Sequence, residues 1–199
     1  MQAPVKDSLG SGCTLIDKTL NRESWNHTLF GPRPLCRYGP GPKMHEMIAP
    51  LSWLLGKWRS EGGKGIYPTI KDFTYGEEVE FFHVGQPNIQ FTCCSWKSES
   101  KAPLHREAGF IRIKPDTNKV AMMIAQNTGI CEIEEGEVTG QKMETTSQSV
   151  ARMSFSKPPK TLKVSRTFKR DGDTLEQVLY METENTPYTE HLRIKYTKV

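Results

Sequence analysis

The stretch GKWRSEGGKGIYPTI, residues 56–70, is the most informative part of this chain. It opens on Gly-x-Trp, continues through a run of glycines and closes on Tyr67-Pro68-Thr69. Glycines permit close backbone approach, and Trp58 supplies a large apolar side chain with one N–H to satisfy. Pro68 lacks a backbone donor and therefore marks a turn or an edge. A tryptophan beside a glycine-rich first strand is typical of small ligand-binding barrels that are closed at one end.

Short strand patterns separated by turn residues follow this stretch. The predicted strands are Glu77–Val84, Asn88–Lys97, Leu104–Lys114, Lys119–Gln126, Gly129–Val138, Gln141–Ser149, Val150–Ser156, Leu162–Arg170, Thr174–Glu182 and Thr189–Lys198. With the strand of Trp58, regular short strands and few helices predict an all-β fold, an antiparallel β-barrel of about ten strands. A barrel of this size, lipocalin- or fatty-acid-binding-like, has room for a ligand inside.

The segment MHEMIAPLSWLL, residues 44–55, predicts one or two short helical turns at the N-terminal end, broken near Pro50. These turns are expected to close the bottom of the barrel with Met47, Ile48, Trp53 and Leu54. Residues 1–43 hold five of the thirteen prolines and show no sustained hydrophobic period. We therefore expect a disordered or loosely attached tail over 1–43, and a barrel over 44–199 that folds without it.

Composition excludes several classes of function. The net charge of +4 comes from 27 basic and 23 acidic residues that alternate along the chain, which argues against nucleic-acid binding. No apolar stretch has the length of a membrane span or of a signal sequence. Five cysteines without Cys-x-x-Cys spacing indicate reduced thiols, so we expect a protein of the cytoplasm, with the nucleus left open as a second location. Phosphate-binding loops and nucleophile elbows are absent from the sequence.

Several separated motifs resemble the nitrobindin family of haem-binding β-barrels, which occur alone or as the C-terminal domain of a THAP-type zinc-finger protein. They are APLSWLLGKWRSEGGKGIYPTI, YGEEVEFFHVGQPNIQF, HREAGFIRIKPDTNKVAMMIAQNTGICEIEEGEV and TEHLRIKY. The resemblance covers residues 49–199. The family pattern Gly-x-Trp-x-Gly-x-Gly has Ser60 at its third fixed position here. Only Cys13 and Cys36 precede the barrel, without zinc-ligand spacing, so the resemblance brings no DNA-binding domain.

The resemblance implies a haem b cofactor whose iron is held by His191, the only histidine in the matching context TEHLRIKY. It also implies that Thr69 of the Tyr-Pro-Thr segment contacts the haem, where its hydroxyl can donate to a propionate. Without the resemblance, His191 reads as a surface or capping side chain and Thr69 as the start of a strand.

Strict strand alternation places His191 on the face of Arg193 and Lys195, opposite the aliphatic residues of the last strand. Either a bulge turns His191 inward, or His191 lies at the rim of the barrel; we favour the rim because the two cations then stay solvated. His83 and His105 are expected at the surface, with a distal role at the haem as the open alternative for either. An ion pair between Arg106 and Glu107 is predicted. The expected pocket wall consists of Phe81, Phe91, Met122 or Met123, and Ile124, although a core position is an equal alternative.

The implied activity is the isomerisation of peroxynitrite to nitrate at ferric haem, with nitric oxide binding at the same iron and His191 as the catalytic ligand. The partners are then haem and small reactive nitrogen species, and a homodimer is an open alternative. An apolar distal wall would argue against oxygen storage. Two other functions remain open: a non-enzymatic carrier of an apolar ligand such as a fatty acid, and an interaction module that uses residues 1–43.

Overall fold

A computed structural model describes residues 41–199 of the chain, and the prediction for the tail lies almost wholly outside them. The described part contains one 3₁₀ helix, Glu46–Leu54, followed by ten β-strands. The strands are β1 (Gly56–Gly65), β2 (Phe73–Phe82), β3 (Asn88–Lys97), β4 (Pro103–Ile113), β5 (Lys119–Gln126), β6 (Ile130–Thr139), β7 (Lys142–Arg152), β8 (Thr161–Asp171), β9 (Thr174–Thr183) and β10 (Thr186–Lys198). No helix among these residues is long and apolar enough to cross a membrane.

The ten strands form one closed antiparallel barrel in which each strand pairs with its neighbours in sequence. Strand β1 pairs with β2 on one side and with β10 on the other, and this last pairing closes the sheet. Closure leaves no unpaired sheet edge. The predicted fold class is therefore confirmed. One detail of the prediction is wrong: residues 141–149 and 150–156 are not two strands, because β7 runs unbroken through the boundary to Arg152.

The 3₁₀ helix blocks the end of the barrel at which β1 begins. Its buried side chains are Ile48, Leu51, Trp53 and Leu54. Trp58, fully buried at the start of β1, donates its indole N–H to the carbonyl of Leu54 over 2.7 Å, so it satisfies a carbonyl at the helix end. Two details differ from the prediction: Pro50 lies inside the helix without breaking it, and Leu51 is buried where Met47 is only partly buried.

An apolar core fills the barrel next to this helix. The ring of Phe81 lies 5.6 Å from that of Phe168 in an edge-on contact and 6.1 Å from that of Phe91. Met122 and Ile124 are also buried in this cluster. The residues expected to form the pocket wall therefore belong to the closed core, which is the alternative that the sequence left open.

Candidate functional site

A cavity of about 250 Å³ opens into the barrel at the end opposite the helix. Antiparallel topology brings the end of β1 and the start of β2 to this mouth, where Tyr67 and Phe73 lie in the cavity wall. The apolar part of the lining comprises Tyr67, Phe73, Tyr75, Leu104, Val164, Leu179, Met181 and Leu192. The polar part comprises Glu77, Cys93, Ser95, His105, Glu107, Gln126, Glu132, Arg166 and Gln177.

Glycine in β1 makes room for the aromatic wall of the cavity. A Cβ atom on Gly63 would lie 2.6 Å from the ring of Tyr75 and 2.8 Å from Ile194, and a Cβ on Gly65 would collide with the ring of Phe73. Contacts this short force a neighbour to move. The glycine run noted in the sequence thus permits aromatic rings to pack directly on the backbone of β1.

His191 is the extra residue of a β-bulge in β10. Glu190 pairs with Tyr180, and Leu192 pairs with Leu179, the preceding residue of β9. His191 therefore has no partner residue of its own in β9. The bulge interrupts strand alternation and leaves His191 1% exposed, while Arg193 two residues later points to solvent. The predicted rim position is therefore wrong, and the bulge that the sequence left as an alternative is present.

Three contacts fix the bulged residue. The ring of Tyr67 meets the imidazole edge-on at 4.8 Å between centroids, and the backbone N–H of Ile66 donates to the carbonyl of His191 over 2.8 Å. Imidazole Nδ1 lies 2.9 Å from the carbonyl oxygen of Thr189. Because a carbonyl only accepts, Nδ1 carries the hydrogen of this bond. In the neutral ring Nε2 is then the nitrogen with a free lone pair, which is the form that binds a metal.

Thr69 lies elsewhere, in an exposed turn between β1 and β2 in which the N–H of Ile70 donates to the carbonyl of Tyr67. It neither lines the cavity nor starts a strand. A larger groove at the mouth, about 990 Å³, shares Phe73 and Leu104 with the cavity and contains Ile66, Ile70, Lys64 and Lys71 in its wall. In sequence, Thr69 thus lies between Ile66 and Ile70, two residues of this groove. Its contact with a haem propionate stays a prediction.

A cluster of buried charges forms the floor of the cavity, and sequence reasoning missed it. Arg166, 3% exposed, donates to both oxygens of Glu107, with N–O distances of 3.0 and 3.3 Å, and lies 3.5 Å from Glu134. Glu77 and Glu132 are buried nearby. The expected pair of Arg106 with Glu107 is wrong, because Glu107 faces inward to Arg166. His105 also lines the cavity and contacts Glu107 at 3.1 Å, while 31% of its side chain stays exposed, so it is a half-exposed residue of the cavity wall.

Burial and neighbouring charges separate the pKa values of these carboxyl groups. Burial alone would raise the pKa of Glu107, but the guanidinium of Arg166 and the contact with His105 lower it to about 2. Burial raises the pKa of Glu77 to about 7 against the lowering effect of its hydrogen bond from Tyr196. Burial also raises the pKa of Glu132 to about 8, opposed by Arg166 and supported by Glu134. At neutral pH one carboxyl is therefore ionised and another keeps its proton.

These features define a small antiparallel barrel with one closed end, a half-polar cavity at the other end, and a buried histidine beside that cavity. The model of the "THAP4-like, heme-binding beta-barrel domain" family matches residues 47–198. The chain belongs to this family.

Named relatives and a solved structure agree with this membership. The chain is 49% identical over 160 residues to human "Peroxynitrite isomerase THAP4", a match that covers 79% of this chain and 28% of that protein. It is 41% identical over 157 residues to Arabidopsis thaliana "Peroxynitrite isomerase Rv2717c", covering 78% of this chain and 90% of that protein. The crystal structure of Rv2717c from M. tuberculosis superposes with a TM-score of 0.70 at 32% identity, covering 78% of this chain and 99% of that one. The chain thus spans little more than a quarter of the length of its mammalian relatives.

Proposed function

We propose that this chain is a ferric haem b protein that isomerises peroxynitrite to nitrate and binds nitric oxide. One observation carries the proposal: His191 lies in a bulge beside the cavity in a tautomer that leaves Nε2 free. Membership of a heme-binding family and relatives named peroxynitrite isomerase support it.

The residues present fit a haem in their chemistry. His191 would hold the iron through Nε2, with Thr189 fixing the ring through Nδ1. The apolar side chains of the cavity suit the porphyrin. The groove contains Lys64, Lys71 and Lys97 against Asp72 and Glu99, a small positive excess that suits propionates. Thr69 adds a hydroxyl donor in the same turn region.

Binding requires a local movement at the mouth. A cavity of about 250 Å³ is below the roughly 300–1,000 Å³ of ligand pockets, and a side chain that is 1% exposed cannot reach a ligand. Tyr67 both lines the cavity and contacts the imidazole, so it is the side chain whose displacement would join His191 to the cavity. The adjoining groove, with Ile66 and Ile70, would then take the rest of the porphyrin.

When bound, ferric haem supplies a Lewis-acidic iron at which peroxynitrite is converted to nitrate. The protein's own contribution is positional. The bulge and the hydrogen bond to Thr189 fix the proximal imidazole, and the apolar wall with Leu179 and Met181 limits the water around the reacting anion. The floor of the cavity is polar, so an argument against oxygen storage that assumes an apolar distal wall has no support from these residues.

The buried charges disfavour the alternative of a fatty-acid carrier. A barrel that binds a fatty acid inside needs a cation for the carboxylate. Arg166 is the buried cation of the cavity, and Glu107 and Glu134 already engage it. The carboxylate of a fatty acid would therefore find no buried cation in the cavity that lacks a carboxylate partner.

Titration of the purified full-length chain with hemin tests the proposal. We expect saturable uptake at one equivalent with a Soret band of an imidazole-ligated ferric haem, followed by accelerated decay of added peroxynitrite and an increased nitrate yield in stopped-flow measurements. If the protein takes up no hemin but binds a fluorescent fatty acid that an unlabelled fatty acid displaces, the carrier function is established instead. Haem uptake without faster peroxynitrite decay would reject the enzymatic part alone.

A further inference from the structure

Large apolar side chains that are exposed to solvent gather at the open end of the barrel, where five loops connect the strands in pairs. Seven such side chains lie in these loops or within three residues of them: Ile66, Ile70, Leu104, Met153, Phe155, Leu162 and Tyr188. At the closed end of the described barrel, only Val84 and Val199 are comparable. Single exposed apolar residues are ordinary, but a group of them at one end marks an interaction surface.

The loop between β7 and β8, residues 153–160, holds Phe155 in solvent with 79% of the residue exposed. Hydrogen bonds nevertheless fix this loop. The guanidinium of Arg152 donates to the carbonyls of Ser156 and Lys157 over 2.6 and 3.2 Å, and the hydroxyl of Ser156 donates to the carbonyl of Gly129 over 3.1 Å. The barrel thus fixes the backbone on both sides of an aromatic ring without burying it, so burial of that ring needs a partner outside the barrel.

Cationic side chains surround these apolar residues. Eight lie in the same loops or within three residues of them: Lys64, Lys71, Lys97, Lys101, Arg152, Lys157, Lys160 and Lys163. The same segments hold five acidic residues: Asp72, Glu99, Glu132, Glu182 and Glu184.

The excess of positive charge is greatest beside Phe155. The segment 153–163, MSFSKPPKTLK, contains three lysines and no acidic residue. Lys160 pairs with Glu184 over 3.2 Å, whereas Lys157 forms no ion pair with any residue of the described barrel. The most exposed aromatic side chain of this end therefore lies next to a cation that is free to meet an external anion.

We propose that the open end of the barrel docks on an anionic lipid surface. Phe155 and the other exposed apolar side chains enter the headgroup region, and the lysines around them contact lipid phosphates and carboxylates. Lys163, whose amine lies 4.8 Å from the ring of Tyr188, combines an apolar stem and a charged tip in the way that suits this boundary. The apolar residues lie on separate loops around an open mouth, and a deformable lipid surface fits such an arrangement better than one rigid protein face.

This inference goes beyond the proposed function, and docking of this kind needs no membrane-spanning segment. Co-sedimentation of the haem-free, full-length chain with lipid vesicles tests it. We expect binding to vesicles of phosphatidylcholine with about one third phosphatidylserine to be at least about tenfold stronger than to phosphatidylcholine alone. Binding to the anionic vesicles should weaken as the salt concentration rises from about 0.05 to about 0.5 M, because salt screens the lysines.

Two variants and two matched controls locate the contact. Phe155→Ser and Lys157→Gln should each weaken binding to the anionic vesicles about fivefold or more, through lost apolar burial and lost charge respectively. Val84→Ser and Lys114→Gln make the same changes at exposed positions of the closed end, and both should bind like the wild type. Because all four side chains are exposed, the melting temperatures of the variants should equal that of the wild type.

Three results overturn the inference: no binding to the anionic vesicles, equal binding to neutral and anionic vesicles, or equal effects of Phe155→Ser and Val84→Ser. If the vesicles bind no protein and Phe155→Ser lowers the molar mass in light scattering, the exposed side chains contact a second copy of the chain instead. Since these measurements use haem-free protein, they are decided separately from the hemin titration, and failure of the proposed function leaves their result unchanged.

Discussion

The ring of Tyr67 meets the imidazole of His191 edge-on, with centroids 4.8 Å apart and ring planes at 88°. The two residues come from opposite ends of the barrel sequence and meet because β1 and β10 pair to close the sheet. Burial raises the pKa of the Tyr67 phenol to about 12, so the ring stays neutral against the imidazole. The imidazole at this contact, the candidate iron ligand, is 1% exposed.

Removing the Tyr67 ring should therefore speed haem entry. We expect Tyr67→Ala to take up hemin several-fold faster than the wild type in stopped-flow absorbance measurements, because no aromatic ring then has to move before the imidazole can reach the haem. The lost packing should also make haem dissociate faster into apomyoglobin. Tyr67→Phe keeps the edge-on ring and should match the wild type. Equal uptake rates for all three proteins would show that Tyr67 does not control access to His191.

Thr69→Val tests the expected contact with a propionate. Loss of one hydrogen bond to a charged group weakens binding by about 1.5–3 kcal/mol, so haem should dissociate at least tenfold faster while the Soret band stays in place. Thr92→Val is the control, because Thr92 is an exposed threonine on the outer face of β3. If the two variants lose haem at the same rate, Thr69 has no role in holding it.

Stability of the haem-free barrel should fall as pH rises from about 5 to about 8. Glu77 and Glu132 have native pKa values of about 7 and about 8, above the ordinary value of 4.5, so the native state holds more protons than the unfolded chain in this range. For each of these two groups, the free energy of unfolding therefore decreases as pH rises from the ordinary pKa to the native pKa. Glu107, with a pKa of about 2, acts in the opposite sense and destabilises the barrel only below about pH 4.5.

Thermal melting across this pH range measures the effect. A change of 1 kcal/mol shifts the melting temperature by about 2–4 °C in a chain of this size. Glu132→Gln should have a higher melting temperature than the wild type at pH 8, and its melting temperature should fall less between pH 5 and pH 8. Glu135→Gln is the control, because Glu135 is an exposed residue of the same strand, and it should follow the wild-type curve. A wild-type melting temperature that is flat from pH 5 to pH 8 would contradict the assigned protonation states.

Sequence reasoning recovered the fold because each of its signals is local. The glycines of β1, Trp58 and the spaced turns specify strands and one closed end, and antiparallel neighbours then pair in order. The bulge at His191 was left as an alternative, because an extra residue in one strand is defined only by its partner strand. The floor cluster was missed altogether: Glu107 and Arg166 are 59 residues apart, and alternating polar residues normally indicate a solvated face.

That cluster should be essential for stability. Arg166→Met leaves Glu107 and Glu134 buried without their cation, and breaking a buried pair in this way costs about 3–5 kcal/mol. Urea unfolding should show this loss. Arg193→Met removes an exposed cation that pairs with Glu176 and Glu190, with 43% of its side chain accessible, and should cost at most about 1 kcal/mol. Equal losses in the two variants would mean that the floor ion pair contributes no more than a surface one.

We propose His191 as the axial ligand of a haem iron, and the variant His191→Ala tests this assignment. Burial of the porphyrin in the apolar wall survives in His191→Ala, so the variant should still bind hemin, but more weakly. His83→Ala is the control, because His83 lies away from the cavity, with its Nδ1 accepting from the N–H of Gly85.

The deciding measurement is the absorption spectrum of ferric protein at one equivalent of hemin, for the wild type and both variants. We predict a shifted Soret band and slow peroxynitrite conversion in His191→Ala, with the band and the rate of His83→Ala unchanged. A wild-type spectrum and rate in His191→Ala would contradict the assignment and place the iron ligand on another residue.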